Sequence, residues 1–171
     1  MELNKVLLEE INKHFMSCDQ TISIAESVTS GAIQLAFSEM TNSKLFYKGG
    51  ITLHTPDKIV KLLKLDISEI KNSNCVSCFI SDKMGLYAFK MFESDWCIAT
   101  SRYCIPQRHS VFEIYTYYSI LYKGMVVFSD KLELCYNDNK LDSLDVKLYY
   151  TEQILQKLLE QIQLKQIANS K

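Results

Sequence analysis

Glycine and proline are scarce in this chain, with 5 and 2 among 171 residues. Glycine is therefore about 3% of the sequence where about 7% is usual. Sites that cradle phosphates or oxyanions with bare backbone spend glycines on that task, and few are available here. An excess of charge is missing too. Nineteen Lys and Arg stand against 20 Asp and Glu, a net charge of −1, which leaves no strong field to hold nucleic acid or an anionic membrane. No apolar run approaches the roughly 18 residues that a membrane span needs. There are only three histidines, and nothing spaces His, Asp or Glu as metal ligands. The opening Met-Glu-Leu-Asn-Lys-Val-Leu-Leu-Glu-Glu is too acidic, and its apolar stretch too short, for a secretory signal. The expectation is a cytoplasmic protein with reduced thiols.

Hydrophobic residues make up 47% and charged residues 23%, ordinary values for a soluble globular chain. The length suits one domain with one core, and no linker or repeat divides residues 1–171. Six cysteines are present: Cys18, Cys75, Cys78, Cys97, Cys104 and Cys135. They read mainly as small apolar core residues. Cys75-Val-Ser-Cys78 is a lone CxxC without a second pair, so zinc at Cys75 and Cys78 is the minor alternative.

Leu3, Leu7, Ile11 and Phe15 fall at steps of four and predict a first helix. Thr21 to Ala25 reads as a strand, followed by a helix over about Ser30 to Met40. Phe46 to Leu53 reads as a second strand. Thr55-Pro56-Asp57 then opens a helix with a Thr cap and Pro at its first position, burying Ile59, Leu62 and Leu63. Ser77 and Ser81 are candidate caps for the next helix, which reaches about Met91. Trp96 to Thr100 is a third strand. Val111–Leu121 and Met125–Cys135 flank Tyr122-Lys-Gly124 and predict a hairpin. Val146, Tyr150, Ile154, Leu158 and Ile162 mark a closing helix, with a frayed end over Gln166–Lys171. The fold class is α/β: a three-layer α/β/α sandwich whose mixed sheet is mostly parallel, with a late antiparallel hairpin.

In such sheets ligands bind beyond the carboxyl ends of the strands. Glu26-Ser27-Val28-Thr29-Ser30-Gly31 is such a place, where Ser27, Thr29 and Ser30 either contact a polar ligand or only cap the helix. The stretch Ile24-Ala-Glu-Ser-Val-Thr-Ser-Gly31 resembles the A-E-S-C-T-G-G signature of the CinA C-terminal domain family. Asn42-Ser-Lys-Leu-Phe-Tyr-Lys-Gly-Gly50 is similar to the family's G-S-S-x-x-F-x-G-G, and Cys75-Val-Ser77 to its A-V-S. Element order agrees over about residues 1 to 165. The resemblance implies a nicotinamide mononucleotide deamidase, an amidohydrolase in which a Ser nucleophile works with a Lys and a Tyr. A Lys of lowered pKa can take the hydroxyl proton, while backbone N–H groups hold the oxyanion.

Two registers carry the catalytic positions over. Without gaps, Lys44 stands at the Ser position, His54 at the Tyr position and Ile59 at the Lys position, and all three functions are lost. With one residue deleted near Thr41, Ser43 becomes the nucleophile and Lys58 the base, with Leu53 in place of the Tyr. The ungapped register is preferred. The other needs an insertion inside the helix after Pro56, which rotates later side chains by about 100°. The family's glycine loop after the third strand is replaced by Thr100-Ser-Arg-Tyr-Cys-Ile-Pro106, with Arg102 and Tyr103 where bare backbone belongs. The family's G-D-R becomes Asp138-Asn-Lys140.

The resemblance therefore implies a decayed amidohydrolase site, now binding a small nucleotide-like ligand or a protein partner; the alternative is an active deamidase using Ser43 and Lys58. Ligand contacts are expected from Glu26, Ser27, Thr29, Ser30, Gly49, Gly50, Thr100 and Lys140, without a metal or cofactor. His54 and His109 read as surface or capping residues, and Lys48, Arg102 and Arg108 as a basic rim or solvated charges. A homodimer, like its relatives, is expected, with neither nucleic acid nor membrane as a partner.

Overall fold

The computed structural model describes residues 3–65, 76–101, 114–134 and 143–169. The first helix, α1 (Lys5–Cys18), starts at Asn4, whose Oδ1 accepts from the N–H groups of Val6 and Leu7 at 3.1 and 3.3 Å. Its apolar stripe buries Leu7, Ile11 and Phe15. The chain continues through β1 (Ile22–Glu26), α2 (Ala32–Ser38), a 3-10 turn at Ser43–Leu45, β2 (Tyr47–Thr52) and α3 (Pro56–Leu63). Then come α4 (Cys78–Phe92), β3 (Trp96–Ser101), β4 (Ile114–Tyr122), β5 (Met125–Leu134) and α5 (Ser143–Asn169).

The strands form one five-stranded sheet in the order β2-β1-β3-β4-β5. β1 pairs in parallel with β2 and β3, whereas β3–β4 and β4–β5 are antiparallel. The alternation of side chains along β1 and β3 divides the core. Ile22, Ile24, Trp96 and Ile98 face the layer of α1, α2 and α5, where large aliphatic and aromatic groups pack. Ala25, Cys97 and Ala99 face α3 and α4 together with Ile59, Ile80, Met84 and Ala88. Those small residues let α4 approach closely: a Cβ on Gly85 would stand 2.3 Å from Leu121 Cδ1.

The hairpin turns at Lys123 (φ 49°) and Gly124 (φ 75°), two successive left-handed residues that match the twist of the flanking strands. Scarce glycine has a visible result. Asp19, Lys64 and Glu93 take the left-handed position after their helices, at φ 50°, 52° and 50°, a place glycine usually fills.

Three sequence expectations need correction. Ser77 does cap α4, accepting from Ile80 N–H at 3.3 Å. Ser81 instead lies buried inside α4, with its hydroxyl 2.7 Å from that of Ser119 on β4. In α3 only Ile59 is buried, and Leu62 and Leu63 are half-buried. Gln166 is not in a frayed end, since α5 runs on to Asn169. Gln166 Nε2 donates to His14 Nδ1 at 3.1 Å, which ties the last turns of α5 to α1. Val111, Cys135 and residues 170–171 lie outside the described residues, as do Cys75 and Cys104.

With Nδ1 accepting, His14 carries its proton on Nε2, 3.4 Å from Gln20 Oε1. That oxygen also accepts from Trp96 Nε1 at 2.7 Å. Burial lowers the His14 pKa from its usual 6.5, against the opposing hydrogen bond to Gln20. The folded state thus binds this proton less readily than the unfolded chain. Stability from this source is full above pH 6.5 and falls as the pH drops from there to the lowered folded-state value. Denaturant unfolding at about pH 7.5 and about pH 5.5 will show a smaller acid loss for His14→Gln than for the wild type.

Candidate functional site

Chain leaving β1 turns through α2 to β2 at one side, and the chain then returns through α3 and α4 to β3 on the other side of β1. The crevice between the carboxyl ends of β1 and β3 is therefore the switch point where open α/β sheets take ligands. The turn Ser27–Gly31 forms one wall. Thr100 and Ser101, at the end of β3, form the other.

Glu26 ends β1 and is fully buried. Its carboxylate accepts from the N–H groups of Gly31 (3.0 Å), Ile33 (3.3 Å) and Gln34 (2.8 Å). The donors at the start of α2 are thus held by the chain's own carboxylate, which also suits the positive end of the helix. Thr100 Oγ1 accepts from Ser27 N–H at 3.0 Å and lies 3.4 Å from Thr29 Oγ1. All three residues are buried. Ser101 donates its hydroxyl to the Ser77 carbonyl at 3.0 Å, joining β3 to the cap of α4.

Ser30 is half-buried and sits at φ 55°, followed by Gly31 at φ 98°. Its hydroxyl donates to the Val28 carbonyl at 3.3 Å. A serine in the left-handed region costs about 1 kcal/mol or more over glycine. Ser30→Gly is expected to stabilise the fold by up to about 1 kcal/mol, less what the freer unfolded chain takes back; a denaturant midpoint measures it.

Beside this wall, residues that the sequence did not single out join the site. Gln34 on α2 donates through Nε2 to Thr52 Oγ1 at 2.8 Å, and its Oε1 accepts from the Tyr47 hydroxyl at 3.4 Å. Burial, and then the nearby Glu26 charge, push the Tyr47 phenol up to about 12. It can donate a hydrogen bond at neutral pH but does not act as a base. Only the pairing of α2 with β2 makes this trio visible, because no local motif marks it.

Glu26, Ser27, Thr29, Ser30 and Thr100 are thus brought together. Gly50 pairs with Ile24 next to them, and Gly49 pairs with Ser23, one step further from the crevice. Gly49 packs against Phe92 of α4. Ser43 and Lys58 are not brought together within the chain, since one precedes β2 and the other follows it. Ser43 Oγ donates to the Ser38 carbonyl at 3.1 Å. The exposed Lys58 ammonium lies 3.4 Å from Asp57, a surface pair of little energetic weight. Lys44 and His54 are exposed, and Ile59 is 2% exposed in the core beneath α3. Lys48 is exposed on β2. Arg102, Tyr103, Arg108, His109 and Lys140 lie outside the described residues. Among the described residues no group of His, Cys, Asp and Glu could hold a metal ion, and no helix is long and apolar enough to cross a membrane.

Fold and crevice define an α/β/α domain with its ligand-type turn at the β1–β3 switch point. The chain belongs to the CinA C-terminal domain family, whose profile matches residues 4–111. A CinA-like protein of Prochlorococcus marinus is 34% identical over 82 residues, 48% of this chain and 19% of its own length. A putative competence-damage inducible protein of Streptococcus gordonii is 28% identical over 80 residues, 47% of this chain and 19% of that one. The aligned stretches thus span about a fifth of these curated relatives. Among solved structures, the CinA superfamily protein KP700603 from Klebsiella pneumoniae aligns over 92% of this chain and 96% of its own, with a TM-score of 0.79 at 16% identity. The competence or damage-inducible protein from Enterobacter asburiae aligns over 91% and 96%, at 0.76 and 18%. These two likenesses establish the fold.

Proposed function

We propose that this chain is a CinA-type domain whose amidohydrolase site has decayed and that now serves as a small-ligand binder or interaction module. The observation that carries this reading is the environment of Ile59. In the ungapped register it stands at the family's Lys position, and here it is a core side chain with no ammonium to take a hydroxyl proton. The exposed Lys44 and His54 at the other two positions support the same conclusion. The nucleotide-like ligand is placed against the turn after β1, where the half-buried Ser30 is open to it while Ser27, Thr29 and Thr100 are buried behind. On this reading the protein is cytoplasmic and homodimeric.

An active deamidase built from Ser43 and Lys58 requires Lys58 to reach Ser43 from a second copy, because the length of β2 separates them in one chain. Nicotinamide mononucleotide tests both readings. The expected result is no ammonia release above background, together with a rise in melting temperature at saturating nucleotide. Turnover abolished by Ser43→Ala and by Lys58→Met overturns the decayed-site reading. Absence of any thermal shift removes the nucleotide from the proposal.

A further inference from the structure

Every backbone N–H from Ser30 to Gln34 is already engaged inside the chain. Ser30 donates to the Ser27 carbonyl at 3.2 Å, and Ala32 to the Thr29 carbonyl at 3.0 Å. Gly31, Ile33 and Gln34 donate to the Glu26 carboxylate. A phosphate at the start of a helix is held by such N–H groups, and none of these is left for it. The fully buried Glu26 also stands behind that position, and like charges at close range repel strongly where water is scarce. No lysine or arginine occurs in residues 22–34 or 96–101 to offset that charge.

What the turn offers outward is an acceptor. Ser30 is half-buried, and its hydroxyl donates to the Val28 carbonyl at 3.3 Å. A serine has one proton to give, so the lone pairs of Ser30 Oγ are what remains for an incoming group. Space stands open beside it, since a Cβ on Gly31 would meet no atom within 4 Å. A phosphate brings acceptor oxygens and negative charge to this place, whereas a sugar hydroxyl brings a proton.

We propose that the turn after β1 receives the ribose of the nucleotide-like ligand, a ribose hydroxyl donating to Ser30 Oγ, with the phosphate turned away from α2. This rests on the reading of the crevice as a nucleotide-like site, and it names the end of the ligand that meets Ser30. Glu26, by occupying the start of α2, excludes the phosphate from it.

Nicotinamide mononucleotide and nicotinamide riboside differ only in the phosphate, so the ratio of their dissociation constants reports where that group lies. Calorimetric titration of the wild type, Ser30→Gly and Ser30→Lys reads it. Both substitutions suit the left-handed position, which Lys64 and Lys123 already adopt at φ 52° and 49°. Ser30→Gly is expected to weaken both compounds about fivefold, the loss of one neutral hydrogen bond. At about 0.15 M salt a charge more than about 8 Å from the phosphate is largely screened, so Ser30→Lys is expected to change the ratio less than about threefold. A lysine next to the phosphate would instead favour the mononucleotide by at least about tenfold. That result overturns the proposal and leaves the crevice a nucleotide site. Undiminished affinity of either compound in Ser30→Gly overturns it too. If neither compound binds the wild type, the nucleotide-like reading itself fails, and this proposal with it.

Discussion

Glu26→Ala is expected to lower unfolding stability by about 3–5 kcal/mol, enough to unfold a marginal domain. The glutamate is fully buried, and its two oxygens take three backbone N–H groups from the first turn of α2. Alanine removes the acceptors and leaves those donors facing a cavity, without the water that satisfies them in the unfolded chain. Charge-assisted bonds are stronger than neutral ones, so Glu26→Gln should fall between the wild type and alanine. The amide keeps one accepting oxygen but turns an NH₂ group toward the N–H donors. Urea unfolding of the three proteins gives the order directly. If alanine costs under about 1 kcal/mol, Glu26 is not the anchor of α2.

Gly50→Ala is the second large effect, at about 2–3 kcal/mol. A Cβ at residue 50 would stand 2.8 Å from the Ile24 carbonyl oxygen, and 2.6 and 2.7 Å from the Gln34 side-chain amide. The glutamine can swing away, at the expense of its bonds to Thr52 and Tyr47. The carbonyl belongs to β1, an interior strand paired on both sides, and cannot. Overpacking of this kind shifts backbone rather than rotamers. By contrast, Gly31→Ala meets no atom within 4 Å, and its only obstacle is φ 98°. That substitution should cost about 1–2 kcal/mol, as a left-handed position does. A thermal-melt comparison separates crowding from backbone conformation, and reversal of the order would mean that the β1–β2 contact yields.

Local signals in the sequence account for most of the fold. The steps of four in α1, Pro56 at the head of α3 and Lys123-Gly124 in the hairpin each act through neighbours only a few residues away. What escaped depends on distant partners. Gln166 looks like part of a fraying end until His14, 152 residues earlier, supplies an acceptor. Ser81 has the makings of a cap, and only the packing of α4 on β4 turns it toward Ser119. The candidate site was legible as a place, because the hydroxyl-rich turn after β1 is a local motif. The use of its groups was not. Glu26 reads as a ligand contact, yet its partners are backbone N–H groups that any sequence would supply. Gln34 and Tyr47 meet only because β2 returns beside β1.

The two faces of the sheet also set different rules for the drift of this sequence over time. Beneath α1, α2 and α5 the core is built of Ile, Phe, Trp and Leu side chains, whose volumes can be exchanged among neighbours with modest loss. Beneath α4, Ala25, Cys97 and Ala99, with Gly85 of the helix itself, hold the helix close to the strands, and a side chain at residue 85 runs into Leu121 and Ala99. One layer can therefore change its residues in compensating groups while keeping its shape. The other keeps its shape only by remaining small, so the memory of ancestry should fade more slowly on the α4 side.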